Sequence, residues 1–209
     1  MNNQGVLVVV SGFSGAGKGT LMKALLTKYD NYALSISATT RNPREGEEDG
    51  REYFFKTREE FEQMIENDEL VEYAQYVGNY YGTPKAYVTS GMEAGKDVLL
   101  EIEIQGARKI KKKFPEAVLV FVTAPSMEEL KERLVGRGTE TAEVIHQRLA
   151  RAAQEAEGVD EYDYLLVNDQ LEDAVDRLHN IIQSEHFAMR RNLGFIHEIQ
   201  AQAAKFVEE

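Results

Sequence analysis

Residues 12–20 bring glycines, a lysine and hydroxyl groups together at a spacing that could hold a polyphosphate. The stretch follows the apolar run at 6–10 and precedes apolar residues at helical spacing, and Gly12 to Lys18 fits the pattern Gly-x-x-x-x-Gly-Lys. Glycines let backbone N–H groups approach phosphate oxygens, a helix N-terminus presents its positive end, and a lysine adds a full charge. We therefore predict a nucleoside triphosphate site made by Ser14, Gly15, Ala16, Gly17, Lys18, Gly19 and Thr20.

A group of arginines could serve transfer of a phosphoryl group between two such substrates. This chemistry brings several negative charges together, so it needs positioning and electrostatic compensation more than covalent catalysis. A guanidinium group suits that work because its planar fork grips phosphate oxygens in pairs. A helical arginine is usually a surface residue, and the glycine-flanked loop at 136–138 is what favours a functional role. The candidates are Arg41, Arg44, Arg137, Arg148 and Arg151.

Two carboxylates, Glu101 and Glu103, interrupt the apolar run at 97–104. We predict a strand over this run, which would point both side chains to one face of a sheet. A carboxylate buried in a strand is costly without a partner. Near a phosphate site it could orient the hydration shell of Mg²⁺ or hold a substrate. The structural alternative is a carboxylate paired with a lysine such as Lys18.

The composition limits the classes of protein to consider. The 209 residues suffice for one core with an inserted lobe. A net charge of −12 argues against a general binder of nucleic acid or of anionic membranes. The chain has no cysteine, which excludes disulfides and thiolate chemistry. We find no apolar run of membrane-spanning length and no signal-peptide pattern, so we expect a cytoplasmic protein.

Strands that alternate with helices along the chain predict an α/β fold with a mainly parallel sheet. In such sheets ligands bind beyond the carboxyl ends of the strands. Ser37, Glu101, Glu103, Thr123 and Asn168 fall at or near such ends. The predicted strands cover residues 6–10, 33–37, 97–104, 117–122 and 164–169.

The composition changes between residues 38 and 83, and we interpret this stretch as a small mixed lobe inserted into the main fold. Thr57 and Glu60 form a capping-box pattern that predicts a helix start, and Gly78-Asn79 predicts a hairpin turn. After the lobe, a helix is predicted from Pro84 to about residue 94. Further on, Ser126 and Glu129 repeat the capping-box pattern; a loop is predicted at 133–139 and a helix at 141–157.

Four segments together resemble the guanylate kinases, namely residues 37–47, 50–55, 78–83 and 136–141. The resemblance runs from the phosphate loop to about residue 169. It implies a three-layer P-loop kinase fold with a mainly parallel five-stranded sheet, a mixed α/β GMP-binding lobe and a helical lid. A single domain would comprise a core (1–37, 84–125 and 158–209), the lobe (38–83) and the lid (126–157).

The resemblance also implies an activity: ATP and GMP, and also dGMP, would be converted to ADP and a guanosine diphosphate with Mg²⁺, in purine nucleotide metabolism. Lys18, Arg41, Arg137 and Arg148 would be the catalytic residues, and Asn168 would lie near the adenine. The GMP phosphate would be held by Arg41, Arg44, Tyr53 and Tyr81. Ser37, Glu72 and Thr83 would read the guanine, and Glu101 and Glu103 would lie at the GMP or magnesium site.

Two departures from the family pattern and one from the usual phosphate-loop signature affect these roles. Phe13 stands where proline is common, and Glu101 and Glu103 stand where aspartate is often found. Gly19 in place of a hydroxyl residue is shared with guanylate and adenylate kinases. It suggests that phosphates and water hold most of the magnesium shell, with Thr20 and Glu101 as candidate protein ligands.

Two other functions compete with the kinase. Guanylate-kinase-like domains also serve as interaction scaffolds, which would be expected to lose Lys18 or the lid arginines. A kinase for a sugar phosphate would not need a guanine-reading pocket. Apolar residues near the end of the sequence could pack on the core or form a subunit contact, which leaves a homo-oligomer open; they are Phe187, Phe195, Ile196, Ile199 and Phe206.

Overall fold

The centre of the molecule is a five-stranded parallel sheet. The computed structural model describes residues 4–76, 78–136 and 141–206. The strand order is β2-β7-β1-β8-β9, and every pairing between neighbours is parallel. This confirms the predicted α/β class and the mainly parallel sheet. The strands are β1 (Leu7–Gly12), β2 (Tyr32–Leu34), β7 (Asp97–Glu101), β8 (Val118–Thr123) and β9 (Tyr164–Val167).

Helices cover both faces of this sheet, which explains why its strands are apolar runs rather than alternating ones. On β1, Val8 and Val10 pack with one helical layer, whereas Leu7 and Val9 pack with the other. Each of these four side chains is at most 2% exposed. The first layer contains α1 (Lys18–Lys28) and α7 (Leu171–His186), and the second contains α3 (Lys85–Glu93) and α4 (Ile104–Lys113).

A second, four-stranded sheet lies within residues 38–84, with the order β4-β3-β6-β5. A tight turn at Gly78, whose φ is +78°, joins β5 to β6 and confirms the predicted hairpin. Thr57 and Glu60 make both bonds of the predicted capping box at the start of α2. The division of the chain into core, lobe and lid stays a prediction. The elements here are β3 (Ala38–Thr39), β4 (Phe54–Phe55), α2 (Arg58–Glu66), β5 (Leu70–Tyr76) and β6 (Asn79–Pro84).

Phe61 on α2 fills the small core under this second sheet. Its side chain is fully buried with Ala38 and Leu70 and stacks on Tyr80 at 5.1 Å between ring centroids. We expect Phe61→Ala to destabilise the fold by about 3 kcal/mol, since the ring leaves a cavity in a core too small to collapse over it. Urea unfolding would measure this. Phe206→Ala, at a phenylalanine 80% exposed, is the matched control and should stay close to wild type.

The described chain has three more helices, α5 (Met127–Gly136), α6 (Ala142–Ala156) and α8 (Leu193–Lys205), and short 3-10 turns at Val159–Glu161 and Met189–Arg191. The loop predicted at 133–139 is wrong in its first half, because residues 133–136 form the last turn of α5. The predicted capping box at Ser126 is half formed. Its hydroxyl accepts the Glu129 N–H at 3.1 Å, but the Glu129 carboxylate accepts from Arg133 instead. Among the described residues, no helix combines the length and apolar character that crossing a membrane requires.

Two predicted strands have the wrong bounds. The strand expected at 33–37 is present only as far as Leu34, the last residue of β2, and residues 35–37 belong to no strand. The strand expected at 97–104 ends at Glu101, and α4 begins at Ile104. Glu103 is therefore the N-cap residue of α4 and does not share a strand face with Glu101.

Candidate active site

The phosphate loop connects β1 to α1 and is shaped by two glycines. A Cβ on Gly12 would lie 2.0 Å from the Val122 carbonyl oxygen, so only glycine lets β1 pass β8 this closely. Gly17 caps α1 with φ +87°, and a Cβ there would lie 2.6 Å from Nδ2 of Asn168. The loop can therefore turn sharply into the helix and leave the first backbone N–H groups of α1 facing its concave side.

Lys18 is the first residue of α1, and its amine lies across the loop. Its Nζ donates to the carbonyl oxygens of Gly12 at 2.7 Å and of Phe13 at 3.2 Å. The carboxylate of Glu101, at the end of β7, faces the same space. Protein atoms around this carboxylate desolvate it and raise its pKa, and the nearby charge of Lys18 opposes that shift. The loop thus presents a cation and a carboxylate to one ligand-sized space.

The helix α6 contacts the phosphate loop through Arg148. Its Nη1 donates to the Ser14 hydroxyl oxygen at 2.6 Å, which brings together residues 134 positions apart. One turn further along α6, Arg151 donates to Glu103 at 2.6 Å and to Glu155 at 3.0 Å. The Glu103 carboxylate consequently pairs with α6 in this structure. The other predicted lid arginine, Arg137, lies outside the described residues.

A cleft of about 830 Å³ opens between the phosphate loop, the end of β7, α6 and the residues that precede β3 and β4. It is large enough for a nucleotide-sized ligand. Among the predicted site residues it is lined by Ser14, Lys18, Ser37, Tyr53, Glu101, Glu103, Arg148 and Arg151. A cavity of about 440 Å³ on the loop itself is lined by Ser14, Gly15, Gly17, Lys18, Gly19, Thr20 and Glu101.

The predicted phosphate-binding arginines lie on the side of the second sheet. The Arg41 guanidinium sits over the ring of Tyr53 at 5.3 Å, and the Tyr53 and Tyr81 rings are 6.1 Å apart. Arg41 is engaged by the carboxylate of Glu47, whose two oxygens accept from its Nη2 at 2.9 Å each. The side chain of Arg44 is exposed. Burial raises the pKa of the Tyr53 phenol, so it stays a hydrogen-bond donor at neutral pH.

Glu72 and Thr83 meet on neighbouring strands, β5 and β6. The Thr83 hydroxyl donates to the Glu72 carboxylate at 3.0 Å. Neither residue lines the large cleft as the structure has it, so the two form a separate polar pair beside it. Burial raises the pKa of Glu72, and the Thr83 hydrogen bond and the charge of Lys109 lower it in part. A carboxylate accepts hydrogen bonds and cannot donate them when ionised, so the pair suits a ligand that donates hydrogen bonds.

Asn168 follows β9 and is 6% exposed. Its Nδ2 donates to the Ala16 carbonyl oxygen at 2.8 Å, and the backbone carbonyl oxygen of Asn168 accepts from Arg133 Nη2 at 2.8 Å. The side chain therefore supports the phosphate loop, and its backbone is tied to α5. Arg133 was not among the predicted site residues. Its spacing of four from Glu129, with which it pairs, is the only signal the sequence offered.

Side chains near the phosphate loop, from the first turn of α1 and the end of β7, could hold a hydrated magnesium ion. Thr20 and Glu101 line the smaller cavity together with Lys18 and Gly19. A hydroxyl and a carboxylate are the oxygen donors that Mg²⁺ accepts, and the ion usually keeps several waters and binds substrate phosphates. Within the described part of the chain, no three carboxylate or histidine side chains are grouped as ligands for a metal.

Comparison with known proteins gives one consistent result. The family model described as guanylate kinase matches residues 4–185. A guanylate kinase of Streptococcus thermophilus (strain CNRZ 1066) is 52% identical over 195 residues, with 93% of each chain covered. A guanylate kinase of Bacillus anthracis is 54% identical over 191 residues, covering 91% of this chain and 93% of the relative. The crystal structure of guanylate kinase from Anaplasma phagocytophilum is similar at a TM-score of 0.72 and 34% identity, with 91% of both chains covered.

Proposed function

Because the chain belongs to the guanylate kinase family, we propose that it transfers the γ-phosphoryl group of ATP to GMP, giving ADP and GDP, and that dGMP is also an acceptor. The observation that carries the proposal for the site is the large cleft. Lys18 of the phosphate loop, Arg148 of α6 and Tyr53 beside the second sheet all line it. Three separate parts of the chain thus contribute side chains suited to binding phosphate to one space.

On the donor side, we propose that the residues of the phosphate loop bind ATP. The N–H groups at the start of α1 and the Lys18 amine would hold the β- and γ-phosphates. To do so, Lys18 exchanges its bonds to the Gly12 and Phe13 carbonyls for phosphate oxygens. Arg148, which already reaches the loop at Ser14, would stabilise the charge that develops during transfer. Asn168 would form part of the adenine side through the loop that it supports, and Arg137 would join from the lid.

On the acceptor side, we propose that Arg41, Arg44, Tyr53 and Tyr81 bind the GMP phosphate. Ser37, Glu72 and Thr83 would bind the base. The acceptor is already a phosphate anion and needs no general base. The chain's task is to bring the attacking oxygen in line with the γ-phosphorus and to keep water out of the cleft.

Magnesium would be held by ATP phosphates and water, with Thr20 and Glu101 as the protein groups closest to it. When bound, the ion neutralises charge on the β- and γ-phosphate oxygens. The Glu103 carboxylate is not available as a magnesium ligand while it accepts a hydrogen bond from Arg151. It would contribute to the acceptor side only after that pairing is exchanged.

The test is a coupled assay of ADP formation with ATP and each of GMP, dGMP, AMP, CMP and UMP. We expect turnover with GMP and dGMP and at most trace turnover with the other three. If none of the five nucleoside monophosphates is phosphorylated, an interaction scaffold is favoured. Equal turnover with AMP and GMP would contradict the proposed guanine site.

A further inference from the structure

Glu47 is a carboxylate that the proposed mechanism does not use, yet it occupies the guanidinium of a phosphate-binding residue. Both of its oxygens accept from Arg41 Nη2 at 2.9 Å. The second of them also accepts the Arg44 backbone N–H at 2.8 Å. The two side chains of the pair are only 16% and 18% exposed. The Glu47 carboxylate therefore accepts hydrogen bonds from both of the arginines proposed to bind the acceptor phosphate.

The geometry of the guanidinium makes this contact exclusive. An arginine offers a phosphate or carboxylate two forks, one formed by Nε and Nη2 and the other by Nη1 and Nη2. Nη2 belongs to both forks, and Glu47 engages it with both oxygens. Arg41 Nη1 also donates to the Asn42 carbonyl oxygen at 2.7 Å. While Glu47 is in place, neither fork of Arg41 is complete for a phosphate.

Arg41 does not need Glu47 to stay where it is. Its guanidinium lies over the rings of Tyr53 at 5.3 Å and Phe55 at 5.8 Å, so two aromatic side chains define its plane. Glu47, by contrast, is on a surface turn. Its N–H donates to the Arg44 carbonyl oxygen, and Gly46 before it has φ +84°. The aromatic support can keep the arginine in place while the turn carries the carboxylate away.

The pair is ionised at neutral pH. The Arg44 N–H and the Arg41 guanidinium lower the pKa of Glu47, and the hydrogen bond to Glu47 raises the pKa of Arg41. A ligand with more than one negative charge is therefore the one best able to take the place of Glu47. A phosphate monoester with its three terminal oxygens and nearly two charges does so.

We propose that Glu47 is a built-in substitute for the acceptor phosphate, which holds Arg41 until a phosphate monoester dianion displaces it. The inference rests on the proposed function, because it takes Arg41 to be the acceptor-phosphate residue. The apparent affinity for GMP is then the intrinsic affinity reduced by the fraction of molecules in which Arg41 is released. The contact also rejects weaker anions, which cannot compete with the carboxylate.

The test is the binding of GMP alone, measured by isothermal titration calorimetry without ATP, for wild type, Glu47→Gln and Glu47→Ala. Removing the negative charge relieves the competition, so we expect both variants to bind GMP about three- to tenfold more tightly. Inorganic phosphate should inhibit binding at correspondingly lower concentrations. In the steady-state assay, KM for GMP should fall while kcat stays within twofold.

Glu48→Gln is the matched control. It removes a charge from the next residue of the same turn, but the Glu48 carboxylate pairs with Arg51 and is 70% exposed. Its affinity for GMP should equal that of wild type. Unchanged or weaker binding by folded Glu47 variants would overturn the inference and make Glu47 a residue that orients Arg41. A wild-type protein that binds no GMP in the same titration would instead refute the proposed function.

Discussion

Replacing Lys18 by alanine should reduce the rate of phosphoryl transfer by about 1,000-fold or more while the protein stays folded. The amine carries the one full positive charge that the phosphate loop contributes among residues 12–20. The charge that develops on the β- and γ-phosphate oxygens would lose this compensation, and water cannot replace it in the same geometry. Turnover at saturating ATP and GMP measures the effect.

The fold should tolerate this change because the Lys18 side chain is only partly buried and donates hydrogen bonds to carbonyl oxygens of the phosphate loop itself. Its bonds to the Gly12 and Phe13 carbonyls close a loop that Asn168 supports independently from β9. Lys23→Ala is the matched control, since Lys23 lies on the exposed side of the same helix. Turnover of Lys18→Ala within tenfold of the control would contradict the assignment of the phosphate loop.

The parts of the fold that could be predicted from the sequence are those encoded by contiguous residues. The run at 6–10 and the loop after it form one local unit, and each step of that unit depends on near neighbours. The turn at Gly78 and the capping box at Thr57 are local in the same sense. The Thr57 and Glu60 side chains each accept from a backbone N–H three positions away, and the turn needs a residue that tolerates a positive φ, so spacing and residue type alone indicate both features.

The two predicted strands with wrong bounds share a physical cause. An alternating pattern of apolar and polar residues does not show where a strand ends. Residues 101–104 alternate like a strand, yet the chain turns after Glu101 and begins α4 at Ile104. Only the position of α4 against the sheet decides this. Residues 35–37 likewise continue the pattern of a strand, but they leave the parallel sheet before the second sheet begins at Ala38, and only the pairing of distant strands decides this.

Contacts between distant residues were beyond prediction from local patterns. Arg148 meets Ser14 across 134 positions, and Arg151 meets Glu103 across 48. Even the short-range pair of Arg41 and Glu47 was hidden, because acidic residues are frequent along the same polar stretch. The sequence offered several candidate partners, and only the turn that includes Gly46 selects one of them.

Glu72→Gln should lower kcat/KM for GMP by about 1,000-fold and leave KM for ATP unchanged. A carboxylate can accept from both the ring N–H and the exocyclic amine of guanine, whereas an amide offers one acceptor and places a donor against a donor. Sites built on such pairing discriminate by about four to five orders of magnitude when a partner is missing. Adenine presents a bare ring nitrogen there, so AMP should not become a good substrate of the variant.

Glu69→Gln is the matched control for the charge. Glu69 precedes β5 on the surface and accepts from the Asn67 side chain at 3.0 Å. It should keep wild-type activity with GMP. Normal use of GMP by the Glu72 variant would mean that another group reads the base.

The stability of the Glu72 variant separates loss of recognition from loss of the fold. Burial raises the pKa of Glu72 in the folded protein above its unfolded value, so the ionised carboxylate destabilises the native state at pH 8. Below about pH 4 the carboxyl is protonated in both states and this term is absent. We therefore expect Glu72→Gln to unfold at a temperature at least as high as wild type at pH 8, with the difference closing as the pH falls to 4. A lower unfolding temperature at pH 8 would instead assign the lost activity to a damaged β5–β6 pair.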